Sequence, residues 1–106
     1  MALPRVRVRY FAGLRELVGV REEELLVEDG TTLAELLLKR LPEEHPDVAE
    51  ELLKAFSEPG EDGRPVLGGR YLILVNGCFY ARLPGGADYV LRDGDVITIF
   101  PPLGGG

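Results

Sequence analysis

Arg5-Val6-Arg7-Val8-Arg9-Tyr10 alternates strictly between cationic and apolar residues. Successive side chains of a strand point to opposite faces, so this spacing sets Val6, Val8 and Tyr10 on one face and three arginines on the other. The stretch predicts a first strand, buried on one side and solvated on its arginine side. Its apolar face needs a cover. Thr32 and Glu35 stand at capping-box spacing, and Leu33, Leu36, Leu37 and Leu41 follow at three- and four-residue intervals. That is the signature of a main amphipathic helix, here expected to end at Pro42. Tyr71-Leu72-Ile73-Leu74-Val75 is nearly all apolar, the pattern of a central strand covered on both faces.

The remaining segments fit around this frame. Residues 11–19 form a short turn-like connection whose Leu14 and Leu17 cap the core, and Glu24 to Glu28 is a second strand antiparallel to the first. Asp29-Gly30 turns the chain. A second, shorter helix is expected from Asp47 to about Phe56, with Val48, Leu52 and Phe56 on one stripe. Residues 57–69 hold four glycines and two prolines and are expected to be a mobile surface loop. Asn76-Gly77 is a tight-turn signal before a short returning strand at Cys78-Phe79-Tyr80. Arg92-Asp93-Gly94-Asp95 is another turn, feeding a last strand, Val96-Ile97-Thr98-Ile99-Phe100. The order predicts an α+β domain, a mixed sheet wrapped across one helix. Its expected core is Val6, Val8, Leu25, Val27, Leu33, Leu36, Leu37, Ile73, Val75, Val96 and Phe100.

Composition narrows the function. A chain of 106 residues is one domain. Eighteen acids against twelve bases give a net charge of −6, which disfavours nucleic acid and favours a basic partner surface. No apolar run approaches a membrane span, no signal-peptide core precedes the first strand, and the single Cys78 excludes an internal disulfide. A cytoplasmic location is expected. Catalytic sets are missing. His45 is read as a solvated loop residue, Cys78 as a small half-buried strand residue, and Asp88, Asp93 and Asp95 as turn formers, not metal ligands. Glu22-Glu23-Glu24 and Glu43-Glu44 are read as solvated faces.

One stretch keeps a chemical reading. After the last strand come Pro101-Pro102-Leu103-Gly104-Gly105-Gly106. The prolines fix φ and cannot donate to a ladder, so they end the strand and stiffen the base of the tail. Glycines without Cβ atoms can enter a narrow channel and present an α-carboxylate; four extended residues reach roughly 13 Å. An inert glycine-rich tail is the other reading of the same residues. The expected division is a domain over 1–103 and a flexible tail over 104–106. An exposed apolar patch beside the tail is expected to dock a partner, with Phe79, Leu103 and the outward side chains of the last strand as candidates and Pro101 and Pro102 at its edge.

Several of these pieces together resemble the molybdopterin synthase small-subunit family. They are Val8-Arg9-Tyr10-Phe11-Ala12, Leu14-Arg15-Glu16-Leu17-Val18-Gly19, Leu74-Val75-Asn76-Gly77, Leu91-Arg92-Asp93-Gly94-Asp95-Val96, Ile99-Phe100-Pro101-Pro102 and the closing glycine pair. Residues 57–69 and Gly85-Gly86-Ala87-Asp88 resemble the branch common in archaea, some of whose members modify proteins. Gly104 departs from the small non-glycine residue usual there. The resemblance implies a ubiquitin-like β-grasp fold and a sulfur carrier without catalysis of its own. Gly106 would be the reactive terminus, with Phe79, Phe100, Pro101, Pro102, Leu103, Gly104 and Gly105 contacting partners. It implies no bound cofactor. A ubiquitin-activating-like adenylating enzyme would use ATP, a sulfurtransferase would supply sulfur, and the molybdopterin synthase large subunit would receive it from a terminal thiocarboxylate. Conjugation to lysines as a modifier is the alternative, and a plain binding module a third.

Overall fold

A computed structural model describes residues 3–102. Five strands form one mixed sheet in the order β2-β1-β7-β5-β6. They are β1 (Arg5–Tyr10), β2 (Glu22–Leu26), β5 (Leu72–Val75), β6 (Cys78–Phe79) and β7 (Val96–Phe100). β1 pairs antiparallel with β2 and parallel with β7, while β5 pairs antiparallel with both β7 and β6. Helix α2 (residues 33–44) covers one face and supplies Leu33, Leu36, Leu37 and Leu41 to a core shared with Val6, Val8, Tyr10, Ile73, Val75, Ile97 and Ile99. This is the expected α+β mixed sheet on one main helix, with a second short helix, α3 (Ala49–Phe56), placing Leu52 and Phe56 in the same core.

The capping box forms: the Thr32 hydroxyl accepts from the Glu35 N–H at 3.1 Å, and the Glu35 carboxylate accepts from the Thr32 N–H at 3.2 Å. The helix does not stop at Pro42. α2 comprises an α turn (Leu33–Glu35), a π segment (Leu36–Arg40) and a further α turn (Leu41–Glu44). Proline lacks an N–H and its ring crowds the carbonyl four residues back, so the helix widens by a π turn and continues. Residues 11–19 also exceed expectation, forming helix α1 (Gly13–Val18) with Leu14 buried and Gly19 at φ 93° as its C-cap. The Asn76-Gly77 turn is as expected, with φ of 51° and 84°.

Four further expectations need correction. Residues 57–69 contain an antiparallel ribbon, β3 (Ser57–Pro59) with β4 (Pro65–Leu67), pinned by buried Leu67. Val96 and Phe100 are not core. In β7 the buried residues are Ile97 and Ile99, and Thr98 shares the outer parity with Val96 and Phe100. β5 is likewise covered on one face only, leaving Leu72 43% exposed. His45 and Glu23 are not simply solvated. His45 Nε2 lies 2.7 Å from the Glu23 carboxylate, which also accepts from the buried Tyr10 hydroxyl, tying the end of α2 to β1 and β2. Burial above all, then Glu23, pushes the Tyr10 phenol far above its ordinary range. No helix among the described residues is long and apolar enough to cross a membrane.

Candidate functional site

The face of the sheet turned away from α2 divides into two halves. The strand registers set Arg5, Arg7 and Arg9 of β1 beside Glu22, Glu24 and Leu26 of β2. On the other side of β1 the same face carries Val96, Thr98 and Phe100 of β7, Leu72 and Leu74 of β5, and Phe79 of β6. The first half is charged and the second apolar. Phe79, Leu72 and Leu26 are 39%, 43% and 49% exposed, so several large hydrophobic side chains meet solvent here.

The apolar half deepens where β7 ends. Phe11, Ala12, Arg70, Leu72, Phe100, Pro101 and Pro102 line an open groove of about 790 Å³. The Phe11 and Phe100 rings stack at 4.5 Å and 24°. The Arg15 and Arg9 guanidiniums stand 4.8 and 5.5 Å from the Phe11 centroid, within cation–π range. Ala12 at φ 51°, ψ −129° occupies a backbone region that glycine normally fills. The Leu14 N–H to Phe11 carbonyl bond at 3.2 Å closes the turn that turns Phe11 outward beside Phe100.

At the other end of β7 a polar clamp fixes the strand. Buried Asp95 accepts from Asn76 Nδ2 at 2.9 Å, the Tyr89 hydroxyl at 3.0 Å and the Arg92 N–H at 2.8 Å. The Val96 N–H donates to Asn76 Oδ1 at 2.9 Å. Burial, then the bond to Asp95, raises the Tyr89 phenol. The Asp95 carboxylate is thus engaged by protein donors, in keeping with a turn former. Asn76-Gly77 and Arg92-Asp93-Gly94-Asp95, distant in sequence, meet as one structural unit.

The expected partner residues Phe100, Pro101 and Pro102 come together in the groove. Phe79 lies on the same face outside it, edge-on to Tyr80 at 5.1 Å. Leu103, Gly104, Gly105 and Gly106, and with them the expected flexibility of the tail, lie outside the described residues. Sequence reasoning missed Phe11, Ala12, Arg70 and Leu72. Strand parity could have found two of them: with Tyr10 inward, Phe11 faces outward, and with Ile73 inward, so does Leu72.

Comparison with known proteins places this geometry. Residues 8–106 match the ThiS family. The chain is 33% identical over 103 residues to small archaeal modifier protein 3 of Haloferax volcanii, covering 95% of this chain and 98% of that one. Among solved structures it is similar to a Pyrococcus furiosus protein described as a candidate molybdopterin converting factor, subunit 1, at 33% identity and TM-score 0.68, covering 94% and 99% of the two chains. It is also similar to small archaeal modifier protein 1 of Methanosarcina acetivorans, at 30% identity and TM-score 0.71 over all of both chains. The fold is therefore the ubiquitin-like β-grasp, and the chain belongs to the ThiS family of ubiquitin-like sulfur carriers and modifiers.

Proposed function

We propose that the chain carries sulfur as a thiocarboxylate on Gly106 for molybdopterin synthesis. The observation that carries the reading is the apolar groove at the end of β7, which reaches Pro102, two residues before the glycines in sequence, with a surface suited to docking a partner. A carboxylate is a poor electrophile. An E1-like partner would join Gly106 to the α-phosphorus of ATP, releasing pyrophosphate. Hydrosulfide supplied through a sulfurtransferase would then attack the acyl carbon, expel AMP and leave a thiocarboxylate. That soft nucleophile suits donation of sulfur to a carbon centre in the molybdopterin synthase large subunit. Gly105 and Gly104 would serve as a stem slender enough to enter either partner. The 33% identity to a protein described as a candidate molybdopterin converting factor subunit supports this destination.

Conjugation through Gly106 to lysines is the second reading, favoured by equal identity to an archaeal modifier protein. Both readings need the same activated carboxylate. Intact mass of the protein from its native cell, untagged at the carboxyl end, separates them. A thiocarboxylate adds about 16 mass units, because sulfur replaces oxygen, whereas conjugation gives lysine-linked adducts. Removing Gly105-Gly106 should abolish both products while the domain stays folded. Restoration of cofactor synthesis by the truncated chain in a strain lacking this protein would defeat the sulfur-carrier reading. Lysine adducts without thiocarboxylate would favour the modifier.

A further inference from the structure

Three arginines gather where β1 runs into α1. Arg9, Arg15 and Arg21 line a cavity of about 210 Å³ with Tyr10, Phe11 and Glu22. The β1–β2 ladder explains why Arg9 stays unpaired. Ion pairs in this ladder run diagonally: Arg5, opposite Leu26, pairs with Glu24 at 3.5 Å, and Arg7, opposite Glu24, pairs with Glu22 at 3.0 Å. Arg9 stands opposite Glu22, so its diagonal partner would be residue 20, which is Val20. Glu22, the only acid lining the cavity, is held by Arg7. Among the described residues no carboxylate lies within 4.0 Å of Arg9, Arg15, Arg21 or Arg70.

The cluster is also pre-organised. Arg15 donates its Nε–H to the Tyr10 carbonyl at 2.8 Å, which fixes its guanidinium over Phe11 and leaves the terminal nitrogens to bond elsewhere. Arg9 reaches the same ring. A guanidinium fork held in place loses less entropy on pairing and matches a carboxylate in two-point geometry. Phe11 belongs both to this cavity and to the apolar groove, so the two form one continuous surface beside Pro102. In a chain of net charge −6 the surface beside the tail base is cationic. The basic partner expected from net charge therefore does not apply at this place.

We infer that Arg9, Arg15 and Arg21 around Phe11 receive an acidic segment of the adenylating enzyme, whose neighbouring apolar residue enters the groove against Phe100 and Leu72. The inference rests on the carrier's being adenylated by such an enzyme. It is tested with the adenylating enzyme of the same organism, by ATP–pyrophosphate exchange, using the double variant Arg9→Gln/Arg21→Gln. Arg15 is left intact because it also holds the Tyr10 carbonyl. The KM for the carrier should rise about tenfold and lose most of its dependence on salt, with kcat, the KM for ATP and the thermal midpoint unchanged. Arg9→Lys/Arg21→Lys should recover part of the loss. An unchanged KM for the carrier overturns the inference. A rise in the KM for ATP overturns it in favour of nucleotide phosphate at the cluster, and a fall in thermal midpoint in proportion to KM shows a structural role instead. No exchange with the unaltered chain would overturn the adenylation reading and this inference with it.

Discussion

Replacing Ala12 with glycine should stabilise the protein. Ala12 sits at φ 51°, ψ −129° as the residue preceding α1, inside the turn closed by the Leu14 N–H on the Phe11 carbonyl. An alanine Cβ in this region costs about 1–3 kcal/mol. The opposing term is the extra freedom that glycine brings to the unfolded chain, about 0.4–1 kcal/mol. Ala12 is exposed, so removing its methyl group forfeits little packing. The balance is a gain of about 1 kcal/mol, which for a domain of this size raises the thermal midpoint by about 4–8 °C. Circular dichroism melts and urea titrations at neutral pH measure it. Ala12→Val should act in the opposite direction, since a β-branched side chain tolerates this backbone even less. A lowered or unchanged midpoint for Ala12→Gly would refute the claim that the turn is strained. Because Ala12 lines the groove, the same variant reports whether the strain serves docking: a higher midpoint with weaker binding of the adenylating enzyme would locate the cost of Ala12 in the positioning of Phe11.

Leu72→Asp should raise the KM of the adenylating enzyme for the carrier about tenfold or more while shifting the thermal midpoint by less than about 4 °C, since Leu72 is 43% exposed on the open face; equal losses in both would show it to be core. Asp95→Ala should cost about 3 kcal/mol in urea unfolding, because it strands the donors of Asn76, Tyr89 and Arg92, and a cost under about 1 kcal/mol would mean the clamp is dispensable. The folded state holds the Tyr10, Tyr80 and Tyr89 phenols above their ordinary pKa of 10.0, chiefly by burial, so it binds protons more tightly than the unfolded chain. Their contribution is complete below pH 10 and is lost as the pH rises beyond it, so stability should fall steadily in alkali; Tyr10→Phe should flatten that fall, and an unchanged slope of stability against pH would count against it.

The sheet and its helix were legible because each local signal agreed with the global fold. The alternation of residues 5–10, the Thr32–Glu35 box and the Asn76-Gly77 turn each have a single low-energy outcome. Legibility failed where two outcomes shared one pattern. Val96-Ile97-Thr98-Ile99-Phe100 is apolar at four of five positions, so hydrophobicity alone leaves its parity open; Thr98 was the one marker, and it places Phe100 outward. The run 71–75 read as a strand covered on both faces for the same reason, although Leu72 and Leu74 lie on the open face. The ribbon of β3 and β4 was hidden because glycine and proline mark turns without stating whether strands lie between them. His45 was read as solvated because nothing in sequence links it to Glu23, twenty-two residues earlier. The groove was legible only in part: Phe100, Pro101 and Pro102 were expected to contact a partner, but Phe11 and Leu72 reach them from two other segments that nothing in the sequence joins to β7.

The position of β7 explains why this fold suits a presented terminus. β7 is the middle strand, hydrogen-bonded to β1 on one side and β5 on the other, so a pull on the residues that follow it loads two ladders at once. An edge strand would peel one bond at a time. The Asp95–Asn76 clamp holds the start of β7, and the Phe11–Phe100 stack holds its end. The core-facing residues Ile97 and Ile99 bury the strand on one side, while Val96, Thr98 and Phe100 remain available on the other. One strand therefore does both jobs: its inner parity anchors the domain, and its outer parity forms part of the face a partner would grip. A partner that binds this face binds the strand leading to Gly106 directly, so docking fixes the origin of the tail without any rearrangement of the core.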